Sequence, residues 1–214
     1  MFILTENISV ASHFLAELRD PEMQKDRLRF RKNIERLGEI LAYEISKSMP
    51  SKAVKIDTPL GQKESRLLES QPVIASIMRA GLPLHQGLLQ FFDQADSAFI
   101  GAYRGAHDAK DDFSIDLDYI TSPDLTGRTL IIADPMLATG KSIEKTYHAL
   151  LRYGMPKRTF IATVIASERG VRYVQGRMPE CRLYIGDVDK ELNAKSYIVP
   201  GLGDAGDLSY GDKI

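Results

Sequence analysis

The amino-acid sequence predicts an α/β fold: a mostly parallel sheet flanked by helices, with a helical N-terminal region and a β-hairpin arm. From Pro72 onward short apolar runs recur, reading PVIASIM, SAFIGAY, TLIIAD, TFIATVIAS, CRLYIG and SYIVPG. Runs of this length suit strands buried on both faces. Helical patterns lie between them, and strands alternating with helices imply crossovers and a parallel sheet. A length of 214 residues, 43% hydrophobic, suits one compact domain with an appended N-terminal piece.

From about Glu6 to Met49 the chain is expected to be helical, because Leu28, Ile34, Leu37, Ile40, Leu41 and Ile45 form an amphipathic stripe. The charged residues of this region read as a solvated face. The first strand run leads into Arg79-Ala80-Gly81-Leu82, with Pro83 suited to the first turn of a helix. The second leads into Arg104-Gly105. A lone surface arginine says little, but arginines at two strand ends point to a polyanion, which a guanidinium can clamp bidentately. Between His107 and Tyr119, the residues Phe113, Ile115, Leu117 and Tyr119 alternate with Ser114, Asp116 and Asp118. That is the period of a half-buried strand, so this acidic segment reads as the hairpin arm with one solvated face rather than as a metal site.

Leu130 to Ala133 form the third strand, with Asp134 at its carboxyl end. Ile143, Tyr147, Leu150 and Leu151 follow at helical spacing until Gly154 and Pro156 supply a stop. The intervening loop closes on Gly140-Lys141-Ser142, the tripeptide that ends a nucleotide-binding P-loop. That motif, G-x-x-x-x-G-K-[ST], needs a second glycine five residues before Gly140, where this chain has Pro135. Proline has a fixed φ and no N–H to offer, so the loop cannot wrap a di- or triphosphate in the P-loop manner. A strand-loop-helix unit remains, whose amides from Ala138 to Ser142 lead into a helix N-terminus and suit one phosphate monoester. Thr139 and Ser142 add hydroxyls. Asp134 would repel a phosphate unless it binds hydroxyls or a metal, and a ribose supplies hydroxyls. A plain strand-to-helix turn capped by Ser142 fits the same local pattern equally well.

The last stretch, YIVPGLGDAGDLSYG, gathers Gly201, Gly203, Gly206 and Gly211 with Asp204 and Asp207. An apolar run leading into so glycine-rich a turn can bring backbone N–H and C=O groups up to a small planar ligand. A mobile tail is the plainer alternative.

Composition narrows the function classes. A net charge of −1 gives no electrostatic footprint for general nucleic-acid binding. Cys181 is the only cysteine, which excludes an intrachain disulfide and a Cys-rich metal cluster and leaves it as a small core hydrophobe. No apolar run approaches membrane-spanning length, and the start MFILTENISV lacks a basic segment followed by a long apolar one, so a cytoplasmic protein is expected. His13, His85, His107 and His148 fall in no catalytic arrangement.

DPMLATGKS resembles the phosphoribosyl-pyrophosphate (PRPP) motif of type I phosphoribosyltransferases, with the Asp-Pro opening of their uracil-specific branch. YIVPGLGDAGD is similar to the uracil-recognition loop of uracil phosphoribosyltransferases, and MRAGL and YRG fall in that family's order and approximate spacing. The likeness therefore runs from about Pro72 to the end. It implies a type I phosphoribosyltransferase-like domain over 1–214, with a helical region over 1–50 and a base-recognition loop within 195–214. It implies an enzyme of pyrimidine salvage that transfers the 5-phosphoribosyl group from PRPP to N1 of uracil, giving UMP and pyrophosphate. Mg²⁺ would be carried on PRPP with no metal site of the protein's own.

Carried across residue by residue, the resemblance implies a catalytic set of Arg79, Arg104, Asp134 and Asp204. Arg79 and Arg104 would contact the pyrophosphate side. Asp134, Pro135, Met136, Leu137, Ala138, Thr139, Gly140, Lys141 and Ser142 would hold the ribose 5-phosphate. Ile198, Gly203, Asp204 and Ala205 would contact uracil through the backbone, and Asp204 would also face PRPP. A homodimer or higher homo-oligomer is implied as well. The chain departs from the family at Gly140-Lys141-Ser142, commonly Gly-Gly-Ser, and at Ser167-Glu168-Arg169, within a segment that usually reads like Ala-Pro-Glu-Gly. A different class of function, a PRPP- or UMP-binding regulator acting on RNA with little turnover, is the alternative; the intact arginines and aspartates argue against it.

Overall fold

The computed structural model describes residues 1–107 and 113–213, with the backbone alone described along 102–107 and 113–118. In chain order, β1 (Phe2–Ile3) precedes α1 (Ala11–Arg19) and α2 (Arg27–Ser46), and a hairpin of β2 (Ser51–Thr58) and β3 (Gly61–Leu68) follows. Next come β4 (Val73–Met78), α3 (Leu82–Phe91), β5 (Asp96–His107), β6 (Phe113–Thr121), β7 (Thr129–Ala133), β8 (Met136–Leu137) and α4 (Lys141–Leu150). The chain continues through β9 (Arg158–Ser167), α5 (Glu168–Arg177), β10 (Cys181–Asp189), β11 (Glu191–Leu192), β12 (Ile198–Val199) and α6 (Ala205–Tyr210).

The central sheet runs β1-β10-β9-β7-β4-β5-β6, with β8 joined to β9 beside this path. Its pairings are parallel except that of β5 with β6. The expected architecture, a mostly parallel sheet with flanking helices and a hairpin, is therefore present. Along β7 and the first half of β9, successive residues enter opposite cores. Ile131, Phe160 and Ala162 pack with Leu37, Leu41 and Leu84 of α2 and α3. Leu130, Ile132 and Ile161 pack with Ile143, Leu150 and Val174 of α4 and α5. Burial on both sides explains why the strands read as continuous apolar runs, and any register slip would exchange the two cores.

The strand order reverses at β4, with β5 on one side and β7 on the other. The loops that leave β4 and β7 border the crevice at this switch point, where ligands sit in open α/β sheets.

Several expectations are corrected. The N-terminal helical region is interrupted after Arg19, where the Asp20 carboxylate accepts from the amides of Glu22 and Met23, and α2 restarts with Asp26 accepting from the Arg29 amide. Leu28 is 67% exposed, whereas Phe30, Ile34, Leu37, Leu41 and Ile45 are buried, because Leu28 is out of phase with that stripe. SYIVPG contributes no strand to the central sheet. Only Ile198–Val199 is extended, paired with Glu191–Leu192 in a small antiparallel ribbon, and Pro200 has no N–H with which to continue it. Tyr119, expected on the buried face of the arm, is exposed, and Ile120 packs on the core instead. A register shift between Gly101 and Ala102 changes the phase of β6. The tip of that arm lies outside the described residues.

Candidate active site

The loop after β7 is fastened to β9. The Asp134 amide donates to the Ala162 carbonyl, and the Pro135 carbonyl accepts from the amides of Val164 (3.1 Å) and Ile165 (3.0 Å). Met136 and Leu137 then pair with Ile165 and Ala166 as β8. Leu137 is buried in the core, so of its polar groups only the backbone is available to a ligand.

Asp134 Oδ1 accepts from the Met136 amide at 3.2 Å. Desolvation pushes this carboxyl up to about 7, the negative charge of Asp204 adds to the rise, and the Met136 hydrogen bond opposes it. A carboxyl so placed gains from hydroxyl donors or a cation at the mouth of the crevice.

At the far end of the loop Gly140 caps α4 with φ +84°. A Cβ there would stand 2.8 Å from Tyr173 Cδ1, so both the backbone angle and the packing require glycine. The cap is Gly140, not the expected Ser142. Having no side chain, Gly140 leaves the first-turn amides of a ten-residue helix without a side-chain cap, the arrangement that favours an anion. Lys141 offers its amide to Thr139 Oγ1 at 3.5 Å.

The Ser167-Glu168-Arg169 departure acquires a structural meaning. Ser167 is fully buried, accepts from the Gly170 amide at 2.9 Å as the cap of α5, and donates its hydroxyl to the Ala138 carbonyl at 2.6 Å. Gly170 lies so close beneath the loop that a Cβ would stand 2.4 Å from the same carbonyl. Helix α5 thus supports the loop after β7 from below, which no local pattern in the sequence marks.

Arg79, in the loop after β4, reaches the C-terminal segment. Its Nη2 donates to Asp207 Oδ1 and to the Gly211 carbonyl, each at 3.0 Å. Arg104 is on β5, and its side chain lies outside the described residues.

The C-terminal glycine loop packs against both of these loops. Ile198 and Ala205 are buried. Asp204 caps α6, accepting from the amides of Gly206 (2.8 Å) and Asp207 (3.1 Å), and Lys213 Nζ stands 3.5 Å from its other oxygen. The Ala205 amide donates to Met136 Sδ at 3.4 Å, so the two loops touch. A thioether is a weak acceptor, and the amide can exchange it for a carbonyl oxygen at little cost. Gly203, Asp204, Asp207, Leu208 and Asp212 line one side of a cleft of about 410 Å³, and Gln24, Lys25 and Arg27 line the other. No local pattern marks these three, since polar side chains just before and at the start of an amphipathic helix look like ordinary solvated residues.

The structure therefore brings Arg79, Asp134 to Ser142, and Ile198 to Ala205 to one crevice. Among the described residues, no group of three or more His, Cys, Asp or Glu could hold a metal ion. No helix among them is long and apolar enough to cross a membrane.

Comparison with known proteins shows the family. The family model described as uracil phosphoribosyltransferase matches residues 5–211. A uracil phosphoribosyltransferase of Porphyromonas gingivalis is 50% identical over 207 residues, covering 96% of this chain and 95% of that protein. The enzyme of the same name from Pyrococcus furiosus is 37% identical over 203 residues, covering 94% of this chain and 85% of its own. A solved Aquifex aeolicus protein superposes with a TM-score of 0.86 at 30% identity, covering all of both chains. With likeness on this scale running from the first helices through the C-terminal glycine loop, the chain belongs to the uracil phosphoribosyltransferase family.

Proposed function

We propose that this protein transfers the 5-phosphoribosyl group of PRPP to N1 of uracil, forming UMP and pyrophosphate in the cytoplasm. The observation that carries the proposal is the contact between the two loops, the Ala205 amide on Met136 Sδ at 3.4 Å. A sugar phosphate seated on one loop and a planar base seated on the other would meet edge to edge.

The chemistry needs positioning and charge more than a nucleophilic side chain. As pyrophosphate leaves C1′, positive charge grows on the ribose and negative charge on the leaving group. Arg79 and Arg104 stabilise the latter. The first-turn amides of α4, with Thr139 and Ser142, hold the 5-phosphate, and Asp134 accepts from the ribose hydroxyls. Gly203 to Ala205 present backbone N–H and C=O groups to the alternating edge of uracil, and Ile198 packs beside it. Cytosine would set an amino group against a donor and leave buried polar groups unpaired.

The residues present also suit Mg²⁺ carried on PRPP, because a cation would offset the desolvation that disfavours the charged form of Asp134. When bound, the ion supplies positive charge to the pyrophosphate.

The chain acts as one domain and as a homo-oligomer. Support for assembly comes from the β2-β3 hairpin, which among the described residues forms a two-stranded sheet of its own and exposes Leu60 and Leu67. An isolated two-stranded ribbon is marginal in water. Light scattering on the purified protein tests this, and a monomer at all concentrations overturns it.

Incubation with PRPP, Mg²⁺ and each nucleobase in turn tests the reaction, with UMP formed from uracil as the expected product. Absence of UMP sinks the proposal. Asp204→Ala is expected to lower turnover strongly while the protein stays folded, and near-normal turnover would remove Asp204 from the site.

A further inference from the structure

The charges of the N-terminal helices are not all solvated. Arg19, the last residue of α1, turns inward to two carboxylates at the end of β10. Its Nη1 donates to Asp189 Oδ2 at 2.7 Å, and its Nη2 donates to Asp189 Oδ1 at 3.0 Å and to Asp187 Oδ2 at 2.8 Å. The same guanidinium donates to the Gly201 carbonyl at 3.0 Å, and Asp189 Oδ2 accepts from the Gly201 amide at 3.0 Å. Both backbone polar groups of Gly201 are thus held by one ion pair. Gln24 adds a longer hydrogen bond, 3.3 Å, to the carbonyl of Leu202.

Gly201 is where the loop reverses. Its φ is +62°, and a Cβ there would stand 2.0 Å from the Ile198 carbonyl. Gly203 follows two residues later and begins the backbone stretch assigned to uracil. A guanidinium is a planar fork that meets a carboxylate in one orientation, so the pair fixes direction as well as position. Asp189 is 7% exposed, and losing its partner would leave a buried charge uncompensated.

We propose that Arg19 and Asp189 are positioning residues that preset the uracil loop, so that N1 of the base is aimed before the base arrives. This rests on the assignment of Gly203 to Ala205 to uracil made above. Asp187 provides an internal control: it bonds Arg19 and accepts from Thr5 Oγ1 at 2.8 Å. Its side chain makes no bond to the loop among the described contacts.

The test is steady-state kinetics of the full chain, with KM for uracil and for PRPP measured separately, together with hydrogen exchange of amides in 198–204. Arg19→Lys keeps the charge but loses the fork, and uracil KM is expected to rise about tenfold or more with PRPP KM within about twofold. Asp189→Asn retains one acceptor for the Gly201 amide and loses the ion pair; an increase of about three- to tenfold in uracil KM is expected. Asp187→Asn should leave uracil KM within about twofold, whatever it does to the melting temperature. Faster exchange in 198–204, but not in β4 or β7, should accompany the first two substitutions. If all three variants lower the melting temperature alike and leave uracil KM and loop exchange unchanged, the network is merely structural and the proposal is overturned. Should Arg19→Lys fail to fold, Asp189→Asn against Asp187→Asn decides the matter. A wild-type protein that makes no UMP would overturn the functional proposal, and loop exchange would still judge the clamp.

Discussion

Asp134→Asn is expected to make the folded protein more stable at alkaline pH while disabling it. The Asp134 carboxyl is pushed up from its ordinary 3.8 to about 7, mainly by desolvation and further by Asp204. The native state therefore holds this proton more tightly than the unfolded chain does. Stability from this group is fully present below 3.8 and is lost as pH rises through about 7. At about 1.4 kcal/mol per pH unit the ceiling of that loss is about 4 kcal/mol. The side chain is only partly buried, and solvent screening reduces the expectation to about 1–2 kcal/mol. Asparagine carries no charge at any of these pH values. Urea unfolding should therefore show the variant gaining about 1–2 kcal/mol over wild type at pH 8 relative to pH 5, terms shared by both proteins cancelling. UMP formation should fall about a hundredfold or more, because the ribose hydroxyls lose their charged acceptor. A stability difference that is the same at both pH values would refute the desolvated carboxylate. Turnover near that of wild type would refute the ribose assignment.

Two substitutions probe the support of the loop proposed to hold the phosphate. Ser167→Ala removes both the cap of α5 and the 2.6 Å bond to the Ala138 carbonyl. Denaturant unfolding should show a loss of about 1–2 kcal/mol, and PRPP KM should rise with uracil KM unchanged; an unchanged PRPP KM would mean that Gly170 packing alone holds the loop. Gly140→Ala places a Cβ at φ +84° and 2.8 Å from Tyr173 Cδ1, which should cost about 1–3 kcal/mol and weaken PRPP binding measured by calorimetry. Normal PRPP affinity in that variant would show that the backbone at residue 140 is not part of the cradle.

The parallel sheet was legible because its signal is local. Leu130 to Ala133 are apolar without interruption, and Phe160 to Ala166 are broken only by Thr163, itself fully buried, a pattern that suits a strand covered on both faces. The β2-β3 hairpin was not legible for the opposite reason. SKAVKIDT and GQKESRLL place polar residues on both faces, and the ribbon leaves nearly all of them exposed, so no apolar period marks it. Ile198–Val199 misled in the other direction, since an apolar dipeptide before Pro200 reads as a strand end whether it joins the main sheet or a two-residue ribbon. Leu28 misled because one misplaced leucine costs a stripe little in sequence, whereas Phe30 keeps the phase.

At the site, legibility followed the distance between partners. Pro135 and Gly140 constrain their own backbone, so they excluded the P-loop and pointed to a single phosphate without any tertiary information. The support came from far away in the chain: Ser167 lies 29 residues from Ala138, and Arg19 lies 170 residues from Asp189. Sequence records such residues as a helix cap and as a charge on an amphipathic helix, which is true of each and omits the partner. Glu144 shows how a count of local charge can fail. An acid in the first turn of α4 would ordinarily compete with a phosphate for the helix N-terminus. Here its carboxylate turns to α5, accepting from the Tyr173 hydroxyl and from Arg177 Nε at 3.1 Å. The same contacts bring Tyr173 over Gly140, which caps α4 without a side chain of its own.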